Sequence, residues 1–165
     1  MKTYISGNFR HRCWRVRLQG KGYAILLDRS AFYPEGGGQP SDQGVLDSVK
    51  VTEVHEKDGE LLHYTDAPLE PGTQVTGRIN WQRRFDLMQQ HSGEHMVSGL
   101  VHQAYGYDNV GFHMGSDVIT VDFNGILTEA QIREIEQQVN QKIWENAAVE
   151  IFYPDKDALE TLDYR

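Results

Sequence analysis

Before Trp81 the sequence carries no helical period, and this constrains the fold more than any other feature. The first half is a succession of short runs with strand character. Cys13 to Leu18 alternates, with Arg15 and Arg17 opposite Trp14, Val16 and Leu18. Tyr23 to Leu27 is a short apolar run suited to a buried strand. Val45 to Glu56 and Glu60 to Tyr64 flank Lys57-Asp58-Gly59, and Asp-Gly is a strong hairpin signal. Thr73 to Ile79 alternates again, with Val75 and Ile79 on one face. Many short strands with close turns predict a small barrel or sandwich.

The pattern changes at Asn80, which can cap a helix starting at Trp81. Phe85 and Met88 continue along a stripe that reads as core packing, and Tyr105-Gly106 is a plausible stop. Gly111 to Gly115 reads as a glycine-bracketed turn that presents His113. Val118 to Phe123 is then a strand closed by Asn124-Gly125. Thr128-Glu129-Ala130-Gln131 is a capping box, and Ile132, Ile135, Val139 and Ile143 trace one helical face. Val149 to Tyr153 reads as one more strand, and Ala158 to Tyr164 as the start of another helix. The fold class is therefore α+β, with residues 1–80 barrel-like and residues 81–165 α+β, joined near Gly77 to Trp81.

Two stretches carry chemistry. In Met88-Gln89-Gln90-His91-Ser92-Gly93-Glu94-His95-Met96 the two histidines stand four residues apart on one helical face. Imidazoles so placed can each approach one ion at ~2.0–2.1 Å, although such pairs also arise by chance on ordinary surfaces. Gly93 costs about 1 kcal/mol against Ala inside a helix, so local helix stability did not select this turn. The second stretch runs from Asp28 to Asp42 through Pro34-Glu35-Gly36-Gly37-Gly38-Gln39-Pro40. Its glycines leave backbone N–H groups open to a ligand while Pro34 and Pro40 stiffen both ends. No Gly-Lys-Ser/Thr follows, which excludes a Walker loop.

Charge narrows the partners. The net charge of −8 argues against general nucleic-acid binding, yet it is uneven. No acid occurs from Met1 to Leu27, where Lys2, Arg10, Arg12, Arg15, Arg17 and Lys21 lie; Arg78, Arg83 and Arg84 form a second basic group, and acid collects from Glu129 to Asp163. Such a basic half could meet a phosphate backbone or simply be a solvated face. The single cysteine, Cys13, excludes an internal disulfide, no apolar run suits a bilayer, and the N-terminus lacks a signal-peptide core. A cytoplasmic setting without a membrane partner is expected.

Taken in order, Ser30 to Asp42, Met88 to His95, Gly111 to Gly115 and Thr120 to Phe123 resemble the alanyl-tRNA editing proteins (AlaX type) and the editing domain of alanyl-tRNA synthetase. The resemblance implies a small N-terminal β-barrel followed by an α+β editing domain of the threonyl/alanyl-tRNA synthetase second-additional-domain type. It implies hydrolysis, in trans, of the ester joining a wrong serine or glycine to the 3′ end of tRNA(Ala), with zinc as cofactor. His91 and His95 match its first two zinc ligands and, with Gln39, form the catalytic group. Gly36, Gly37, Gly38 and Gln39 match the loop lining the aminoacyl-adenosine pocket, with His113 counted among the substrate contacts. Ser30 stands where the family commonly has threonine, a residue tied to telling serine from alanine.

The family's further Cys-x-x-x-His zinc ligands have no counterpart after His113. A C-terminally incomplete domain is the expectation, with an unorthodox third ligand (His113, His102 or an acid) or a weakly held metal as alternatives. Two other functions fit the residues less fully. A non-catalytic tRNA-binding chain would need no complete metal site, and His91-Ser92-Gly93-Glu94-His95 also satisfies the H-x-x-E-H metallopeptidase pattern. On a helix Glu94 points about 100° from His95, which weakens its assignment as a base.

Overall fold

The computed structural model describes residues 8–20 and 22–162. Lys2 and Lys21 of the basic N-terminal group, and Asp163 and Tyr164 of the expected last helix, lie outside the described residues. The chain divides into two compact units, Met1–Gln90 and His91–Arg165.

The first unit is a closed six-stranded barrel, the barrel of the two expected alternatives. Its strands are β1 (Asn8–Gln19), β2 (Gly22–Leu27), β3 (Gly44–Leu46), β4 (Val49–Lys57), β5 (Glu60–Thr65) and β6 (Gln74–Ile79). Around the barrel the order is β1-β2-β5-β4-β3-β6, and β1 pairs antiparallel with both β2 and β6 to close it. β1 is bulged where it passes from one partner to the other. Asn8 to Arg12 pair with β6, whereas Cys13 to Gln19 pair with β2, and the register shifts between Cys13 and Arg15. A bulge bends the strand and leaves its extra residue unpaired. That residue is Trp14, which is 71% exposed while Cys13 is fully buried. The simple alternation that placed Trp14 beside Val16 fails for this reason; Leu18, beyond the bulge and in regular register with Val16, is exposed as well.

Turn chemistry corrects a second expectation. The run from Val45 to Glu56 is two strands, because Asp47 adopts a positive φ of 51° and turns the chain between β3 and β4. The β4–β5 hairpin is as expected: Asp58 and Gly59 have φ of 52° and 78°, the type I′ arrangement that matches strand twist. Gly44 is required by closure itself, since a Cβ there would collide with the Arg78 carbonyl oxygen. Cys13, Ile25, Leu27, Phe32, Leu46, Val51, Val54 and Val75 fill the interior.

Helix α1 (Trp81–Tyr105) begins where expected, with the Arg83 N–H donating to Asn80 Oδ1 at 3.2 Å. It ends at Gly106, whose φ of 67° and N–H to the His102 carbonyl form a left-handed stop. Phe85 and Met88, read as core, are each 43% exposed, and Phe85 stacks on Trp81 instead.

The second unit holds the rest of α1, the antiparallel pair β7 (Asn109–Met114) and β8 (Ile119–Phe123), helix α2 (Glu129–Trp144) and the short α3 (Lys156–Leu159). The capping box forms in full: Thr128 Oγ1 accepts from the Gln131 N–H, and the Gln131 side chain accepts from the Thr128 N–H. Ile135 and Val139 are buried against Val101, while Ile132 and Ile143 are more than half exposed. Gly111 to Met114 belong to a strand rather than a turn. Val149 to Tyr153 join no strand among the described residues and are exposed, because alternation supplies a strand's faces but not its ladder partner. Among the described residues no helix is long and apolar enough to cross a membrane.

Candidate functional site

The glycine loop is rigid, and buried polar contacts within the barrel unit make it so. Gly36 and Gln39 exchange backbone hydrogen bonds at 3.0 and 3.1 Å around Gly37 and Gly38, whose φ values of 59° and 76° suit glycine. Tyr33 donates its hydroxyl to the Gly36 carbonyl at 3.0 Å. The Glu35 N–H donates to the Val54 carbonyl, and the Val54 N–H to Ser41 Oγ, so the loop is tied to β4 on both sides of its tip. Gln39 is 5% exposed and therefore part of the loop's frame as well as a candidate substrate contact.

The loop's other anchor was misjudged from sequence. Arg84, grouped there with solvent-facing basic residues, is 1% exposed. Its guanidinium forms an ion pair with the equally buried Asp42 and donates to the Ala31 carbonyl at 2.7 Å. Asp42 in turn accepts from the Tyr33 N–H at 2.7 Å. A buried pair of this kind contributes little net stability, but removing one partner strands a charge and costs about 3–5 kcal/mol. Arg83 donates to the Ser41 carbonyl at 2.6 Å. The start of α1 thereby holds the glycine loop, and Asp42 ends the very motif that sequence reading singled out.

Ser30 sits beside a histidine that sequence reading passed over. His63 is fully buried; its Nδ1 lies 3.1 Å from the Ile25 carbonyl and its Nε2 2.7 Å from Ser30 Oγ. A carbonyl only accepts, so Nδ1 carries the proton and Nε2 accepts from the serine hydroxyl. Burial holds the His63 imidazole down at about 4, against which its hydrogen bond to Ile25 pulls weakly. The ring stays neutral, and Ser30, whose Oγ also accepts from the Phe32 N–H, is held in one orientation.

In the second unit His91 and His95 stack with ring centroids 4.9 Å apart and 17° between planes. The structure adds Glu94 to them: donor atoms of His91, Glu94 and His95 all lie within 4.8 Å of one another. Glu94 is three residues from His91, hence on the same helical face, and its long side chain reaches back to put Oε2 3.4 Å from His95 Nδ1. Judging Glu94 from its angle to His95 alone hid this. The carboxylate is 7% exposed, and its Oε1 accepts from the Ser98 hydroxyl and, at 2.6 Å, from Asn109 Nδ2. Burial first and the neighbouring His95 second push the His91 imidazole below its ordinary value, which favours the neutral form that ligates metals. Two imidazoles and a carboxylate are a donor set that suits zinc.

His113 is exposed on β7 and outside this cluster; its strand neighbour Phe112 meets the His91 ring at 5.4 Å. His102 lies 3.0 Å from Asp108 and is likewise separate.

A closed barrel with a pinned glycine loop, followed by a helix bearing a histidine pair, defines a class through its sequence kin. Residues 10–83 match the family described as tRNA synthetases class II (A). The alanyl-tRNA editing protein Aarsd1 of Mus musculus is 38% identical over 132 residues, covering 79% of this chain and 32% of the relative. The alanyl-tRNA editing protein AlaX-L of Pyrococcus horikoshii is 34% identical over 149 residues, 86% of this chain and 37% of the relative. An alanine–tRNA ligase of Thermococcus kodakarensis is 37% identical over 135 residues, 76% of this chain and 15% of the enzyme. Over most of its length the chain is thus homologous to alanyl-tRNA editing proteins, and it spans about a third of the length of those relatives.

Proposed function

We propose that the chain is an editing-type aminoacyl-tRNA deacylase that hydrolyses, in trans, the ester of seryl- or glycyl-tRNA(Ala). The observation that carries this reading is the identity to alanyl-tRNA editing proteins over four-fifths of the chain, spanning both the glycine loop and the histidine pair. The proposal extends to a second unit of the second-additional-domain type and to a cytoplasmic setting.

The chemistry asks little of the protein. An aminoacyl ester is already activated, so a positioned water and donors for the developing oxyanion suffice. Zinc, held by His91 and His95, would supply Lewis acidity or a more acidic bound water. At the tip of the loop, pinned at both sides by the Gly36–Gln39 backbone pair, the N–H groups of Gly37 and Gly38 face the aminoacyl-adenosine end without needing to reorganise. Ser30 offers a hydroxyl whose proton is committed to His63, so the oxygen is left to accept from the hydroxyl of a misattached serine. Alanine has no such group and would leave that acceptor unpaired, a difference that favours rejection. On the barrel's outside, Arg15, Arg17 and Lys57 line a groove of about 140 Å³ together with Asp58 and Glu60, and the three cations are the groups that would meet a phosphate backbone.

The test is release of serine from seryl-tRNA(Ala) by this chain, with and without a zinc chelator, beside alanyl-tRNA(Ala). Chelator-sensitive release of serine but not of alanine is expected. Binding of the tRNA without turnover would reject the deacylase in favour of a tRNA-binding chain.

A further inference from the structure

A serine hydroxyl can donate or accept, so on its own it does not fix the polarity of the group it meets. Ser30 has lost that freedom. Its proton goes to His63 Nε2 at 2.7 Å, and its oxygen already accepts from the Phe32 N–H at 3.1 Å. One of its two lone pairs is left for a ligand, and no donor. We propose that His63 is a specificity-positioning residue for the aminoacyl group. By holding Ser30 as a pure acceptor, it selects a substrate that brings a hydroxyl proton, serine, over glycine or alanine. This rests on the deacylase reading above and deepens it by naming the residue that sets the polarity of the serine subsite.

The barrel holds His63 for this task. The residue lies on β5 opposite Ile25 of β2 and Val54 of β4, so its backbone is fixed from both sides. Its Nδ1 donates to the Ile25 carbonyl at 3.1 Å, which sets the tautomer with Nε2 as the acceptor. The Phe32 ring meets the imidazole edge-on with centroids 5.5 Å apart, while the Phe32 N–H holds Ser30, so one residue braces both partners. A protonated ring would donate from Nε2 and turn the serine round, and full burial opposes that protonation. The same burial argues against a Ser–His nucleophile. As a base, His63 would have to become charged with the neutral Ile25 carbonyl behind it, where the serine-protease triad places a carboxylate. Ser30 by contrast is half-buried, so a ligand can reach its oxygen without reaching the histidine.

The experiment uses 3′-amino-3′-deoxyadenosine acylated with serine, glycine or alanine, amide analogues whose binding calorimetry reads apart from turnover. The seryl analogue should bind at least ~10-fold more tightly than the alanyl one, from which it differs by the hydroxyl alone. His63→Leu should cut that ratio by ~3–10-fold, the range of one hydrogen bond. His63→Gln, whose amide oxygen can stand in for Nε2, should keep it within about twofold. Both analogues are measured on one preparation, so a partly unfolded variant leaves the ratio unaltered. In a Ser30→Ala chain, His63→Leu should have no further effect on the ratio, since its action runs through the hydroxyl. An unchanged ratio in the His63→Leu chain, or the same fall without Ser30, would overturn the proposal. Equal binding of seryl and alanyl analogues by the unsubstituted chain would overturn it as well. The 15N spectrum of the His63 ring needs no variant: a protonated Nδ1 and a bare Nε2 are expected, and the reverse tautomer would sink the assignment. The expected ratios without release of serine from seryl-tRNA(Ala) would reject the deacylase while upholding the role of His63.

Discussion

The barrel and the second unit bury their apolar residues by different means. In the barrel every strand has two neighbours, the backbone hydrogen bonds close on themselves, and Ile25, Phe32, Leu46, Val51 and Val54 are shut away from water. In the second unit two strands and two longer helical segments enclose less. Val101, Ile135 and Val139 are buried, but they border an apolar groove of about 540 Å³ that also takes in Val97, Val121, Phe123 and Ile132. Trp144, Val149, Ile151 and Tyr153 are each about four-fifths exposed. A closed sheet completes its own core, whereas a two-stranded sheet covered on one side does not. The histidine pair lies in the more open unit, and the glycine loop lies in the closed one.

Core truncation tests this contrast most directly. Ile25→Ala, inside the barrel, is expected to cost about 4 kcal/mol, because the closed wall cannot collapse onto the cavity. Ile135→Ala, at the edge of the open groove, is expected to cost only about 2 kcal/mol, near the lower end of such substitutions. Urea unfolding of both variants measures the difference, and equal costs would remove the distinction between the units.

Acid should sharpen it. Above pH ~6.5 neither folded nor unfolded His63 binds a proton, so stability there is independent of this group. Below that value the unfolded chain takes up a proton that the buried ring refuses until about 4. The unfolded state binds more protons in this window, so stability falls as pH drops and levels off near 4, by about 3 kcal/mol in all. His11, also buried in the barrel and also lowered first by desolvation, acts in the same direction. Unfolding midpoints followed from pH 7 to pH 4 should show this slope, and His63→Gln should flatten it. A variant that keeps the full slope would place the acid sensitivity elsewhere.

The smallest effect concerns the barrel's exterior. Arg15 pairs with Glu60 at 3.4 Å, and both are substantially exposed, so the pair contributes at most a few tenths of a kcal/mol. The double variant Arg15→Gln, Arg17→Gln should therefore unfold at the same urea concentration. The salt dependence of its tRNA binding should nonetheless become shallower, by about one to two units of slope. An unchanged slope would exclude both residues from the interface.

Much of this was legible in local sequence. The Asp58-Gly59 hairpin, the Asn80 and Thr128 caps and the Gly106 stop are set by neighbouring residues alone, and the structure forms each of them. The spacing of His91 and His95 is likewise a property of one helix. What failed depended on partners distant in the chain. The exposure of Trp14 follows from a bulge between the part of β1 that pairs with β6, far along the chain, and the part that pairs with β2. Arg84 became a buried anchor because Asp42, far back in sequence, meets it. Val149 to Tyr153 has the alternation of a strand, but alternation supplies no ladder.

The sequence by itself determined the two chemical stretches, the barrel-then-α+β order and the kinship, since motifs and periods are local. Only the tertiary structure decided what holds the glycine loop, which way the Ser30 hydroxyl donates, and that Glu94 turns toward the histidines. Each of those rests on a hydrogen bond or charge contact between groups brought together by packing, and no pattern along the chain encodes such a meeting.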